Sequence, residues 1–167
     1  MSDAAEALAF RARALAQSHP LTALAEQYVA WVVSVEQAVQ ADPVVATWAG
    51  AELVAGYCLR RVEEDQAGVH RRPNPGHEVT VEQVEAAAQE VATAMRVGDP
   101  EPYLLAEPDE VFTALNSIIG GEIDNRLHNF RDQMDPAACD EFADYVTAWV
   151  ITGYAVRVAE GTLGALV

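Results

Sequence analysis

The chain has 167 residues and a mass of 18.0 kDa, which suits one domain with one core. Hydrophobic residues make up 51% of it, enough for that core without disulfides or a structural metal. A formal charge of -16 and a pI of about 4.4, with no basic stripe, exclude binding to a nucleic-acid backbone or an anionic membrane surface.

All ten basic side chains other than histidine are arginine, usage that fits a GC-rich genome. The N-terminus opens with Ser2, Asp3 and Glu6, and no basic segment precedes an apolar one, unlike a secretory signal. The longest apolar run, residues 28–35, is bracketed by Glu26 and Glu36. It falls short of the roughly 20 residues that cross a bilayer. The expected location is the cytoplasm.

Ser2 or Asp3 can cap a first helix to about Gln17, with a weak stripe of Ala4, Leu8, Ala12 and Leu15. We expect it to be peripheral, and Ser18-His19-Pro20 to end it. A second helix runs from about Leu21 or Thr22 to Gln40. Its core stripe is Leu24, Tyr28, Val32, Val35 and Val39, broadened by Trp31. Asp42-Pro43 is a start signal, with Asp at the N-cap and Pro at the first helical position. The third helix then reaches about Asp65 on a stripe of Val44, Trp48, Ala51, Ala55, Cys58, Leu59 and Val62. Gly50 and Gly56 allow a neighbour to come close, or mark a bend.

Residues 66–79 hold Gly68, Pro73, Pro75 and Gly76 and must be a loop. Thr80-x-x-Gln83 reads as a capping box for a fourth helix to about Val97, with Val84, Ala88, Val91 and Met95 inward. Gly98 suits its C-terminal cap. A second Pro-rich connection, 99–108, carries Tyr103, Leu104 and Leu105 and should pack on the bundle. A fifth helix extends from near Pro108 to about Met134, with Phe112, Leu115, Ile119, Ile123, Leu127 and Phe130 inward. Gly120-Gly121 is either a close crossing or a break. Asp135-Pro136 repeats the earlier start signal. The sixth helix runs to about Glu160 and is apolar most of the way round, so it is central or covered by a partner. Two shared residues are too few to claim a repeat. The expected fold is an all-α, single-domain bundle of about six helices, with a peripheral N-terminal helix over 3–17 and a main bundle over 21–160.

Chemistry has few places to reside. On a helical wheel Glu122, Arg126 and Asn129 share the inward arc of Leu115, Ile118 and Ile119. Charges facing a core must be paired or used. Arg157 is likewise a charge in an apolar arc of the sixth helix. If the last two helices form an antiparallel hairpin, Glu122 can meet Arg157 between two arginines, a carboxylate or anion pocket. The loop residues His70, Arg71, Arg72 and His77 are a second anion-binding candidate. Glu36, Glu52 and Glu63 read as solvated helix margins. No Glu-x-x-His accompanies them, so neither a metal site nor any cofactor is expected. Cys58 and Cys139 read as small buried hydrophobes, with no paired spacing and no basic surroundings. No phosphate-loop, dinucleotide or nucleophile-elbow motif occurs. The favoured expectation is therefore a non-enzymatic interaction or assembly protein with a protein partner, as a homodimer or hetero-complex. Its seam would be the sixth helix and the tail, 163–167. The alternative is an enzyme or small-ligand binder centred on Glu122, Arg126, Asn129 and Arg157.

Overall fold

The computed structural model describes residues 2–18, 20–40 and 42–167, with Arg131 described in its backbone alone; His19, in the expected stop of the first helix, lies outside this set. Among the described residues the chain is an all-α bundle of six α-helices. These are α1 (Asp3–Ala16), α2 (Ala23–Gln40), α3 (Pro43–Gln66), α4 (Val81–Val97), α5 (Pro108–Leu127) and α6 (Pro136–Thr162). Among the described residues no helix is long and apolar enough to cross a membrane.

The start and stop signals act as their chemistry requires. The Asp42 carboxylate accepts from Val44 N at 2.9 Å and Asp135 from Ala138 N at 2.7 Å, each followed by Pro at the first helical position. Thr80 and Gln83 form the reciprocal capping box, at 3.2 and 2.9 Å. Gly98 closes α4 in the left-handed region at φ 81°. The tail does not join a helix. Residues 72–74 and 165–167 pair antiparallel, with Arg72 and Val167 exchanging two backbone hydrogen bonds of 2.8 Å.

The most extensive helix pairing is α3 with α6. It rests on two glycines. A Cβ at Gly56 would lie 1.8 Å from Val150 O, and one at Gly153 would lie 2.0 Å from Leu53 O. The contacts are reciprocal: each glycine meets the carbonyl of the residue three positions before the other. Along the pair Leu53 meets Gly153 and Tyr57 meets Arg157, so the helices run in the same direction. Both helices carry the same pattern, Gly56-Tyr57-x-Leu59-Arg60-x-x-Glu63 and Gly153-Tyr154-x-Val156-Arg157-x-x-Glu160. Reciprocity of this kind is the mark of two-fold packing. An internal repeat, discounted from the two Asp-Pro starts, is thus present in a longer pattern nearer the helix ends.

Several sequence expectations change. α1 is integral: Ala5, Leu8, Ala9 and Ala12 are buried and α1 packs on α3 and α5. Small residues form its stripe because the helices meet closely there. α5 stops at Leu127, short of the expected Met134, and leaves Phe130 exposed. It passes through Gly120-Gly121 unbroken, and nothing lies within 4 Å of a Cβ at Gly120. α6 owes its all-round apolarity to its central position. Residues 153–160 are buried against α3 and α4, and Leu166 of the tail is buried too, so this surface is closed within the chain. On α2 only Tyr28 and Val32 of the predicted stripe are buried, and Leu24 is half-buried. Trp31, Val35 and Val39 are exposed, as is Val44 of α3.

Two substitutions separate crowding from conformational freedom. Gly56→Ala should destabilise by on the order of 3 kcal/mol or more in urea unfolding, because backbone on both helices must move. Gly120→Ala should instead stabilise by about 0.5–1 kcal/mol, the ordinary helical preference for Ala over Gly.

Candidate functional site

The repeated pattern builds two matching sets of buried polar groups across the α3–α6 seam. Arg60 lies over the Tyr154 ring at 5.5 Å and donates through Nη1 to the Tyr154 hydroxyl at 3.0 Å. Arg157 lies over the Tyr57 ring at 5.4 Å and donates through Nη1 to the Tyr57 hydroxyl at 3.0 Å. The Tyr154 hydroxyl also donates to Glu63, whose other oxygen accepts from the backbone N–H groups of Leu105 and Ala106 at 2.8 and 2.9 Å. This ties the 99–108 connection to the bundle. Glu160 accepts from Thr22 at 2.8 Å, and the same Thr22 hydroxyl accepts from Ala25 N at the start of α2. Burial raises the Glu160 carboxyl above its ordinary range and, with Glu160 nearby, pushes the Tyr57 hydroxyl up to about 12. Glu52 and Glu63, expected at solvated margins, are 0% and 1% exposed. The wheel placed them at an edge, and the glycine crossing turns that edge inward.

The candidate residues do not converge as one pocket. Arg157 belongs to the α3–α6 seam, where its Nε donates to both Glu64 oxygens at 2.9 and 3.1 Å. Glu122 and Arg126 lie on another side of α3. There Arg126 bridges Glu122, at 3.5 Å, and the buried Glu52, at 3.4 Å, and stacks over Trp48. Asn129 is exposed beyond the end of α5. The supposed Glu122–Arg157 contact fails because α6 pairs with α3, not α5, through its charged positions. Burial first, and the neighbouring Glu122 second, push the Glu52 carboxyl up to about 8. Of the loop candidates, His70 lies 3.7 Å from Asp65, His77 packs against Gly164, Arg72 is exposed and Arg71 turns toward Gly161. Cys58 is buried, and burial pushes its thiol up to about 12, which keeps it unreactive. Cys139 is half-buried rather than buried.

The sequence reading missed a groove of about 470 Å³ between α2, α4 and α6. Tyr28, Trp31 and Trp149 form its aromatic wall, and Glu36 and Glu85 stand on its sides. Trp31 and Val35 line it and are exposed, and the α2 ridge continues to Val39, which is 71% exposed. The groove has a counterpart within the repeat. α1 packs closely on α5, whereas α4 and α2, which hold the matching places, touch only slightly. Only the length of the α2 apolar stripe, through Val35 to Val39, was legible in advance; that its second half stays open was not.

No family model, curated protein or solved structure matches this chain.

The buried Glu52 gives stability a definite pH dependence. Its folded pKa is raised, so its contribution is complete below the unfolded carboxyl range and is lost as pH rises toward about 8. Glu160 acts in the same direction. The melting temperature should fall from about pH 5 to about pH 8, and Glu52→Gln should flatten that slope by about one proton in linkage analysis.

Proposed function

We propose that this chain is a non-enzymatic interaction protein. It receives an amphipathic helix of another protein in the groove between α2, α4 and α6. The observation that carries this reading is the apolar ridge Trp31, Val35 and Val39, open to solvent at a place where the repeat elsewhere packs helix on helix. Side chains four apart on α2 rise about 6 Å per step, so the ridge presents about two turns to a partner. That is the dimension of helix-in-groove recognition. Large apolar side chains clustered on a surface favour an interface over solvent.

Charge selects the occupant. The groove walls carry Glu36 and Glu85 against one cation, Arg96, within a chain of net charge -16. A helix with lysine or arginine flanking its apolar face complements them, and an acidic one is repelled. The dispersal of Glu122, Arg126, Asn129 and Arg157 over different surroundings removes the support for a catalytic centre built from those four.

Trp31 and Trp149 line the groove and report on its filling. A synthetic Leu/Lys amphipathic helix should shift their emission to the blue and saturate at micromolar concentration. A Leu/Glu helix of the same length should not. Val35→Glu should weaken the Leu/Lys response by at least about tenfold, with little change in unfolding, because Val35 is solvent-exposed. Added negative charge would strengthen a purely electrostatic association, so loss of binding identifies apolar docking. Undiminished binding in Val35→Glu sinks the proposal. Self-association in ultracentrifugation, abolished by Val35→Glu, would make the occupant a second copy instead.

A further inference from the structure

Three of the ten arginines, Arg60, Arg71 and Arg157, line a cavity of about 230 Å³, separate from the groove. Its other walls are the C-terminal parts of α3, Glu64 included, and of α6, and the connection at 102–105. The local carboxylates are already engaged. Glu64 binds Arg157 Nε through both oxygens. Glu63 divides its charge among Arg60, the Tyr154 hydroxyl and two backbone N–H groups. Arg60 makes its hydrogen bonds through Nη1 alone, to Glu63, Tyr103 O and Tyr154. Among the described residues its Nε has no partner. The Arg71 guanidinium has no hydrogen bond or ion pair among the described residues either.

Arg71 is nevertheless held in place. Its carbonyl accepts from Arg157 Nη2 at 3.5 Å, and the next residue is fixed by backbone pairing with Val167. Its side chain passes over Gly161, where a Cβ would lie 2.8 Å from Arg71 Nη1. In the register of the repeat, Gly161 stands where α3 has Glu64. The missing side chain makes room for a cation, and the carboxylate that would neutralise it is absent at that position.

We infer that this cavity binds a small oxyanion, a phosphate or carboxylate group, between Arg60, Arg71 and Arg157. Guanidinium groups supply paired donors suited to either oxyanion. The volume lies below the usual range for drug-sized ligands, which points to inorganic phosphate or a short organic acid. Arg71, the half-exposed member, closes over the ligand, while the two buried arginines are preset by their tyrosines. The site is independent of the proposed helix-binding groove.

The probes are sodium phosphate, sodium acetate and sodium chloride at matched ionic strength, read by thermal shift and titration calorimetry. Phosphate, acetate or both should raise the melting temperature saturably above chloride. Phosphate alone assigns a phosphoryl group and acetate alone a carboxylate. Arg71→Ala should weaken that binding by about tenfold or more, and Arg71→Lys by less. Gly161→Ala, which displaces the guanidinium without removing it, should also weaken binding. Arg72→Ala, on the exposed neighbour, should leave it unchanged. Equal effects of all three salts, or full affinity in Arg71→Ala, would overturn the inference. Far-UV circular dichroism and urea unfolding in chloride serve as the folding control for each variant and are expected to show the native helical fold.

Discussion

The contact between α3 and α6 at Gly56 and Gly153 sets the rest of the structure. With carbonyl oxygens about 2 Å from where a Cβ would stand, the backbones are too close for any side chain at either glycine. Close approach on a small-residue seam brings the residues beside it and one turn further on into the interior. Here that is Tyr57 and Arg60 on one helix and Tyr154 and Arg157 on the other. Charged groups so buried require partners, since removing them from water costs several kcal/mol per ion. The chain supplies them within the same pattern: each arginine stacks on the other helix's tyrosine and binds its hydroxyl. Glu63 and Glu64 complete the pairs from α3.

These pairs also organise segments outside the seam. Glu63 captures two N–H groups of the 99–108 connection, and Glu160 captures the hydroxyl that caps α2. Buried ion pairs are weak sources of net stability, but they fix register, because any shift leaves a charge unpaired. An apolar seam of equal area would tolerate sliding by a turn. This one does not, since the glycines and the arginine–tyrosine contacts must be satisfied together.

The two halves match at the seam and diverge around it, and the divergence creates the surfaces of interest. In the register of the glycines, Glu52 corresponds to Trp149 and Glu64 to Gly161. On one side Glu52 is buried beneath Arg126 and Glu122; on the other Trp149 forms a wall of the open groove. Glu64 neutralises Arg157, whereas Gly161 admits an unneutralised Arg71. α1 closes on α5, but α2 stands away from α4. A symmetric core thus supports an asymmetric surface, with an apolar groove and a basic cavity.

The sequence by itself determined the helices. Asp-Pro starts, the Thr80–Gln83 box and Gly98 are local signals, because capping involves atoms within one turn. Apolar periodicity likewise identified α3, α4 and α6 as core helices, while Gly50 and Gly56 read equally as close approaches or a bend until the structure placed Gly56 against α6. Periodicity could not tell which faces of these helices meet. The wheel of α5 placed Glu122 and Arg126 inward, and they are half-buried; it could not show that their partner is Glu52 of α3 rather than Arg157 of α6. The stripe on α2 marked Val35 and Val39 as core, yet burial depends on the distance to α4, which no local pattern encodes. The pattern repeated from Gly56 to Glu63 and from Gly153 to Glu160 was in plain sight, but its meaning lies in the reciprocal contact of the two copies. Only the tertiary structure decided which charges are partners and which apolar face stays open, because those depend on the relative placement of helices far apart in the chain.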